Sequence, residues 1–234
     1  MRRWITGSIV MLFGLLVISL SAVGLEGPVL VFGGTSGTGL ETIKLLRAQD
    51  ISVTVFVRPT SNRAKLDPLG VSYVVGDALN ENEVNAAFAS DEFDGVVSSL
   101  GGRRGEPRPD LDGNRHITNA AIAAGVKRII QVSSLGAGEG ARRKPEKGAG
   151  FMQEVLHLKT LAEDHLIASG LDYTIVRPAG LRRDLPTGNG VFSEKAVTGS
   201  INRSDLGMLI VQCMEDTSTI GKVLHAHDPN LPGR

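Results

Sequence analysis

The chain has 234 residues, 41% apolar and 21% charged, a composition that excludes disorder and a length that suits one α/β domain and is short for two. Lysine plus arginine equals aspartate plus glutamate at 25 each, so no basic excess argues for a nucleic-acid partner. The one cysteine, Cys213, can form neither an internal disulfide nor a thiolate metal site by itself, and it is expected to be a buried structural thiol.

Met1-Arg2-Arg3 is a basic head, and Trp4 to Leu25 then runs 22 residues without a charge. At about 1.5 Å per residue that run can cross a bilayer as a helix. It can equally be a cleaved signal with Ala22-Val23-Gly24 as the small-residue site. Residues 1–27 are therefore expected to be a signal or membrane anchor, and residues 28–234 one domain. The protein is expected to be membrane-associated or exported, with its side of the membrane open.

Apolar Val29–Phe32 lacks polar alternation, as a parallel strand covered on both faces requires. A helix is predicted over Gly39–Ala48, from Leu40, Ile43, Leu45 and Leu46. Strand and helix patterns then alternate: strands Ile51–Val57 and Val71–Val75, helix Glu81–Ala89, strand Phe93–Ser98, helix Asn114–Ala124 and strand Lys127–Ser133. A long helix Phe151–Ser169, a strand Asp172–Val176, a helix Arg203–Glu215 and a last strand Lys222–Ala226 complete the domain. This order predicts an α/β fold with a doubly wound parallel sheet. Two long loops, Gly101–Gly113 and Gly136–Gly150, follow strands, so both belong at the carboxyl edge where such sheets bind ligands.

The segment between the first strand and the first helix holds Gly33, Gly34, Gly37 and Gly39. Strand, glycine turn and helix together make a phosphate site, because free N–H groups and the helix dipole favour negative charge. Leu40 and Glu41 after Gly39 exclude Walker A. The spacing Gly33-x-x-Ser36-x-x-Gly39 is that of a dinucleotide loop with serine in place of the middle glycine and Gly37 beside it. The second strand ends at Val57-Arg58-Pro59, with no acid until Asp67. An acid there would suit the ribose of NAD; an arginine suits the 2′-phosphate of NADP, so NADP is the expected cofactor. Arg63 and Lys65 are candidates for the same patch.

Together GGTSGTG, VFVRP, GDALN (Gly76–Asn80), SSLGG (Ser98–Gly102), LDYTIVRPAGL (Leu171–Leu181) and INRSDLG (Ile201–Gly207) resemble the atypical short-chain dehydrogenase/reductases with an NmrA-like Rossmann fold. In size the chain is similar to the biliverdin-IXβ reductase/flavin reductase type. The resemblance implies that Thr35, Ser36, Gly37, Thr38 and Gly39 cradle the pyrophosphate and that Arg58 takes the 2′-phosphate. It implies that Asp77 and Ala78 border the adenine, and that Ser98, Ser99, Leu100 and Gly101 flank the ribose and nicotinamide. Ser133 and Ser134 are implied below the nicotinamide, Lys159 near its ribose and Pro178 near its carboxamide, with Lys159 and Ser133 the candidate catalytic residues.

One departure bears on chemistry. Family members with a proton relay carry tyrosine four residues before the helix lysine, and here that position is Val155. The only tyrosines, Tyr73 and Tyr173, fall in strand patterns. The sequence therefore points to an NADPH-dependent oxidoreductase acting on a small-molecule acceptor that takes its proton from water: a flavin, quinone or linear tetrapyrrole. The alternative is a non-catalytic NADP(H) sensor or assembly factor. A sugar epimerase is disfavoured by the same absent tyrosine.

Other features are expected to be ordinary. Lys159 and Glu163 share a helix face and suit a surface pair. Asp205 is expected to cap or pair locally. His225 and His227 point to one side of a strand without a third ligand, so no metal is expected. Arg142-Arg143-Lys144 is a solvated loop face, or a contact for an anionic substrate.

Overall fold

Val29–Phe32 forms strand β1, and all four side chains are buried because helices cover both faces of the sheet. The computed structural model describes Leu25 and residues 27–102, 104–146 and 149–233. Residues 4–24 of the apolar run, and with them the expected anchor or signal, lie outside the described residues. Among the described residues no helix is long and apolar enough to cross a membrane.

The remaining strands are β2 (Val53–Val57), β3 (Ser72–Val75), β4 (Gly95–Ser98), β5 (Arg128–Val132), β6 (Asp172–Pro178), β7 (Gly180–Arg182), β8 (Val191–Ser193), β9 (Ser200–Asn202) and β10 (Lys222–His227). The helices are α1 (Gly37–Ala48), α2 (Glu81–Phe88), α3 (Asp112–Ala124), α4 (Phe151–Ile167) and α5 (Arg203–Glu215). The main sheet has the order β3-β2-β1-β4-β5-β6-β10-β8. From β1 the chain first winds outward through β2 and β3, then returns to β4 on the other side, so the order reverses between β1 and β4. In open α/β sheets that reversal opens a crevice at the carboxyl ends of the strands.

Alternation along β1 divides the interior into two cores. Val29 and Val31 pack with Leu40, Ile43 and Leu46 of α1 and with Leu206 and Ile210 of α5. Leu30 and Phe32 pack with Val84 of α2, Ile117 of α3 and Leu166 of α4. Each such burial contributes roughly 1.5–3 kcal/mol. An exposed pair such as Lys44–Glu41 contributes a few tenths, so apolar packing holds the sheet.

The sheet is mostly rather than wholly parallel, since β8 adds to β10 antiparallel and β7 pairs with β9 in a small separate sheet. These three-residue strands have no periodic pattern of their own. Asp205 holds that insert: it is buried and accepts from Thr187 N at 3.1 and 3.0 Å and from Gly188 N at 2.9 Å. Its partners are thus distant in sequence, not the local ones expected. At the start of β2, Ile51 N instead donates to Leu46 O at 3.1 Å and closes the turn after α1.

The Lys159–Glu163 surface pair does not form. Glu163 is buried and takes Arg177 of β6 in a two-pronged ion pair at 3.0 and 2.5 Å, fastening α4 to the sheet. Cys213 is buried as expected, and burial pushes its thiol up to about 11. Removing one partner of a buried pair strands the other charge. Glu163→Gln is therefore expected to lower unfolding free energy by about 3 kcal/mol, read as a fall in the urea midpoint at unchanged slope. A midpoint equal to wild type would show that the pair is not structural.

Candidate nucleotide site

A cleft of about 460 Å³ lies at the carboxyl edge, over the reversal between β1 and β4. Five adjacent strands, β3 at the edge through β5, send residues to it from their carboxyl ends: Gly33 after β1, Arg58 after β2, Asp77 and Ala78 after β3, Ser99 to Gly101 after β4, and Ser133 and Ser134 after β5. Helix α4 adds Met152, Val155 and Lys159. Thr35, Ser36, Gly37 and Thr38 complete the wall. Three of the sequence candidates do not line it: Gly39, Ser98 and Pro178 lie behind it, and the Pro178 carbonyl accepts from Leu135 N at 2.9 Å.

The glycine loop ends in an open helix terminus. Ser36 is the N-cap, yet its side chain makes no capping bond and no acid sits in the first turn of α1. The first-turn N–H groups therefore face the cleft with the positive end of the helix dipole behind them, as an anion requires. The serine is no obstacle, because Ser36 is fully extended at φ −164°. The left-handed positions of the loop fall on Gly33, φ +77°, and Gly37, φ +62°. Gly39 serves close approach instead: a Cβ there would lie 2.5 Å from both Gly33 O and Ser99 Oγ.

At the other end, Lys159 is held by three oxygens. Its Nζ donates to Leu100 O at 3.0 Å and Val132 O at 3.4 Å, and lies 3.4 Å from Asp110 Oδ1. Asp110 is buried, with Oδ2 accepting from Gly102 N at 2.9 Å. The Asp110 carbonyl accepts from Asn114 Nδ2 at 2.8 Å, and Asn114 Oδ1 accepts from Ser98 Oγ at 2.6 Å. Ser98 thus supports the lysine from behind rather than facing a ligand. No phenol is near: Tyr73 donates to Asp67 at 2.8 Å and Tyr173 to Gly221 O at 3.1 Å. Burial, reinforced by that bond to Asp67, pushes the Tyr73 phenol up to about 12.

Arg58 lines the cleft where β2 ends. Its Nη1 lies 3.4 Å from Glu106 Oε2, both side chains being about half exposed. Ser61 Oγ accepts from Arg58 N at 3.1 Å and fixes the turn that presents the guanidinium. Arg63 does not join this patch; it lies over the Tyr73 ring at 5.0 Å, and neither it nor Lys65 lines the cleft. Glu106, Asp110 and Arg203 were missed in the sequence. Arg203 opens α5 against Gly37 and belongs to the quoted INRSDLG run, so it alone carried a signal.

The residues present fit a dinucleotide. Thr38 Oγ1 and Ser133 Oγ are buried hydrogen-bonding groups without a partner, and both line the cleft. The first turn of α1 is uncapped beside one and Lys159 lies near the other. For Gly39→Ala, the added methyl must displace the loop backbone. The expected outcome is NAD(P)H affinity at least about tenfold lower by fluorescence titration, with the folded far-ultraviolet spectrum retained. Unchanged affinity would mean that this turn does not hold the nucleotide.

Residues 33–217 match the NAD(P)H-binding family. The yeast protein YMR090W of Saccharomyces cerevisiae is 31% identical over 87% of this chain and 94% of its own. YhfK of Bacillus subtilis, described as an uncharacterized sugar epimerase, is 28% identical over 87% and 95%. Among solved structures, the anaerobillin reductase ChuY of Escherichia coli O157:H7 is 30% identical, with a TM-score of 0.77, covering 88% of this chain and 100% of that one. The chain belongs to the NAD(P)H-binding family, on an atypical short-chain dehydrogenase/reductase fold.

Proposed function

We propose that the protein is an NADPH-dependent reductase of a planar conjugated acceptor. The observation that carries this is Val155, an apolar side chain in the cleft where a proton-relaying phenol would stand, one turn before Lys159. When bound, NADPH supplies a hydride. The chain's own residues then bind, orient and exclude water. Thr35 to Thr38 hold the pyrophosphate on the open end of α1, with Gly39 packed behind them, and Arg58 takes the 2′-phosphate. Asp77 and Ala78 border the adenine. Lys159 and Ser133 hydrogen-bond at the ribose and nicotinamide end, where the Asp110 carboxylate keeps the ammonium in place.

Beside that end, Met152, Val155, Pro109 and Leu181 make an apolar shelf. Such a shelf orients a flat acceptor and offers it no general acid, which suits acceptors whose reduced form draws its proton from water. The likeness to ChuY supports a tetrapyrrole among these. The same lack of a phenol also fits a non-catalytic NADP(H)-binding protein, and turnover separates the two.

Oxidation of NADPH, followed at its nicotinamide absorbance with biliverdin, FMN or a soluble quinone, is expected with at least one acceptor. Tight NADPH binding with none of them turned over would move the assignment to the non-catalytic reading. Cofactor choice gives a second expectation. Arg58→Ala should weaken NADPH at least tenfold and NADH little. Glu106 competes with a 2′-phosphate for the same guanidinium through an exposed bridge of at most about 1 kcal/mol, so Glu106→Ala should tighten NADPH up to about fivefold. Equal effects on both nucleotides would remove the NADP assignment.

A further inference from the structure

A second hollow, of about 570 Å³, lies at the same edge of the sheet, between α4 and the loop after β5. Met152, Val155 and Lys159 of α4 line the cleft, whereas Gln153 and Leu156 line this hollow. Ser134 borders the one and Gly136 the other, so the chain between them spans no more than about 7 Å. The two cavities are therefore neighbours, parted by α4 and Leu135.

The loop wall of this hollow is fastened down. Gly138 N donates to Thr160 Oγ1 at 2.9 Å, and His157 Nδ1 meets Ala141 O at 2.9 Å. Arg142 makes a two-pronged bond to Asp164 at 2.9 and 2.8 Å, and that hydrogen-bonded guanidinium holds the Asp164 carboxyl below its ordinary range. Arg142 is thus the cation that anchors the loop. Its neighbours Arg143 and Lys144 line the hollow and have no ion-pair partner among the described residues. Among the described residues, the remaining charge in the lining is Glu146.

A third cation stands at the start of α4. Arg108, from the other long loop, lies 3.9 Å from the centre of the Phe151 ring. Its Nη2 is 3.4 Å from Glu154, and its Nη1 is buried without a hydrogen-bond partner. Arg108 is ion-paired, whereas among the described residues Arg143 and Lys144 are not, and such free cations near an apolar shelf suit a ligand with an apolar body and an anionic arm.

We infer that the acceptor is a carboxylate-bearing one, its conjugated body on the shelf of the cleft and a carboxylate arm in the second hollow against Arg143 and Lys144. This rests on the reductase reading for where the body lies. It favours dicarboxylate linear tetrapyrroles and disfavours uncharged quinones.

The test is an absorbance titration of the full chain, loaded with NADP⁺, with biliverdin and with its dimethyl ester. The diacid is expected to bind at least tenfold tighter than the ester. The double variant Arg143→Glu/Lys144→Glu should lose at least tenfold for the diacid and leave the ester and NADP⁺ unchanged. Glu146→Gln, which removes the opposing charge, should tighten the diacid two- to threefold. Equal binding of diacid and ester, no binding of either, or a diacid indifferent to the double variant would overturn the inference. So would displacement of the diacid by millimolar inorganic phosphate, which would make the hollow a general anion site. Diacid binding as expected without any NADPH oxidation would instead sink the reductase reading and leave the carboxylate site standing.

Discussion

A parallel strand covered on both faces has no place for a charged side chain, and β1 is such a strand. Its neighbours β2 and β4 are buried along their whole length too, with Thr54 and Ser98 their only polar side chains. Charged side chains are therefore expelled to the strand ends, and the carboxyl ends are where the helices begin. That single constraint puts the glycine loop, Arg58, the serines after β5 and Lys159 around one cleft, although they are spread over more than a hundred residues of sequence. The reversal of strand order between β1 and β4 parts the flanking crossovers there and leaves the space.

Within the cleft, charge is held at both ends by different means. The α1 end has no side-chain cation of its own loop, only oriented N–H groups, which cost no side-chain entropy to position. The α4 end has a lysine whose freedom is removed by a buried carboxylate and two carbonyls. Gly102 N hydrogen-bonds one oxygen of Asp110, and the other meets the ammonium at 3.4 Å as an ion pair without a hydrogen bond.

Much of this was legible in the sequence because it is local. The glycine loop, Arg58 at the end of β2 and the helix lysine each announce themselves within a few residues. What was not legible depends on partners far apart. Asp110 meets Lys159 across 49 positions, and Glu106 meets Arg58 across 48. Glu163 looked like the natural partner of Lys159 one turn away, yet Arg177 on a neighbouring strand claimed it. Asp205 likewise holds residues 17 and 18 positions distant. Helical spacing ranks neighbours on one helix and says nothing of what the next layer brings. The strands β7 to β9 escaped for a related reason: three residues are too few to show a period.

The buried thiol has a practical side. Cys213 is the only cysteine of the chain, and burial pushes its thiol up to about 11, so at neutral pH it stays protonated and unreactive. The native chain is therefore a silent background for maleimide and iodoacetamide chemistry. A single cysteine introduced on the surface of either long loop would carry a fluorophore or spin label alone, without first stripping the protein of its own sulfur. Distances across the mouth of the cleft then become measurable in solution, with and without nucleotide.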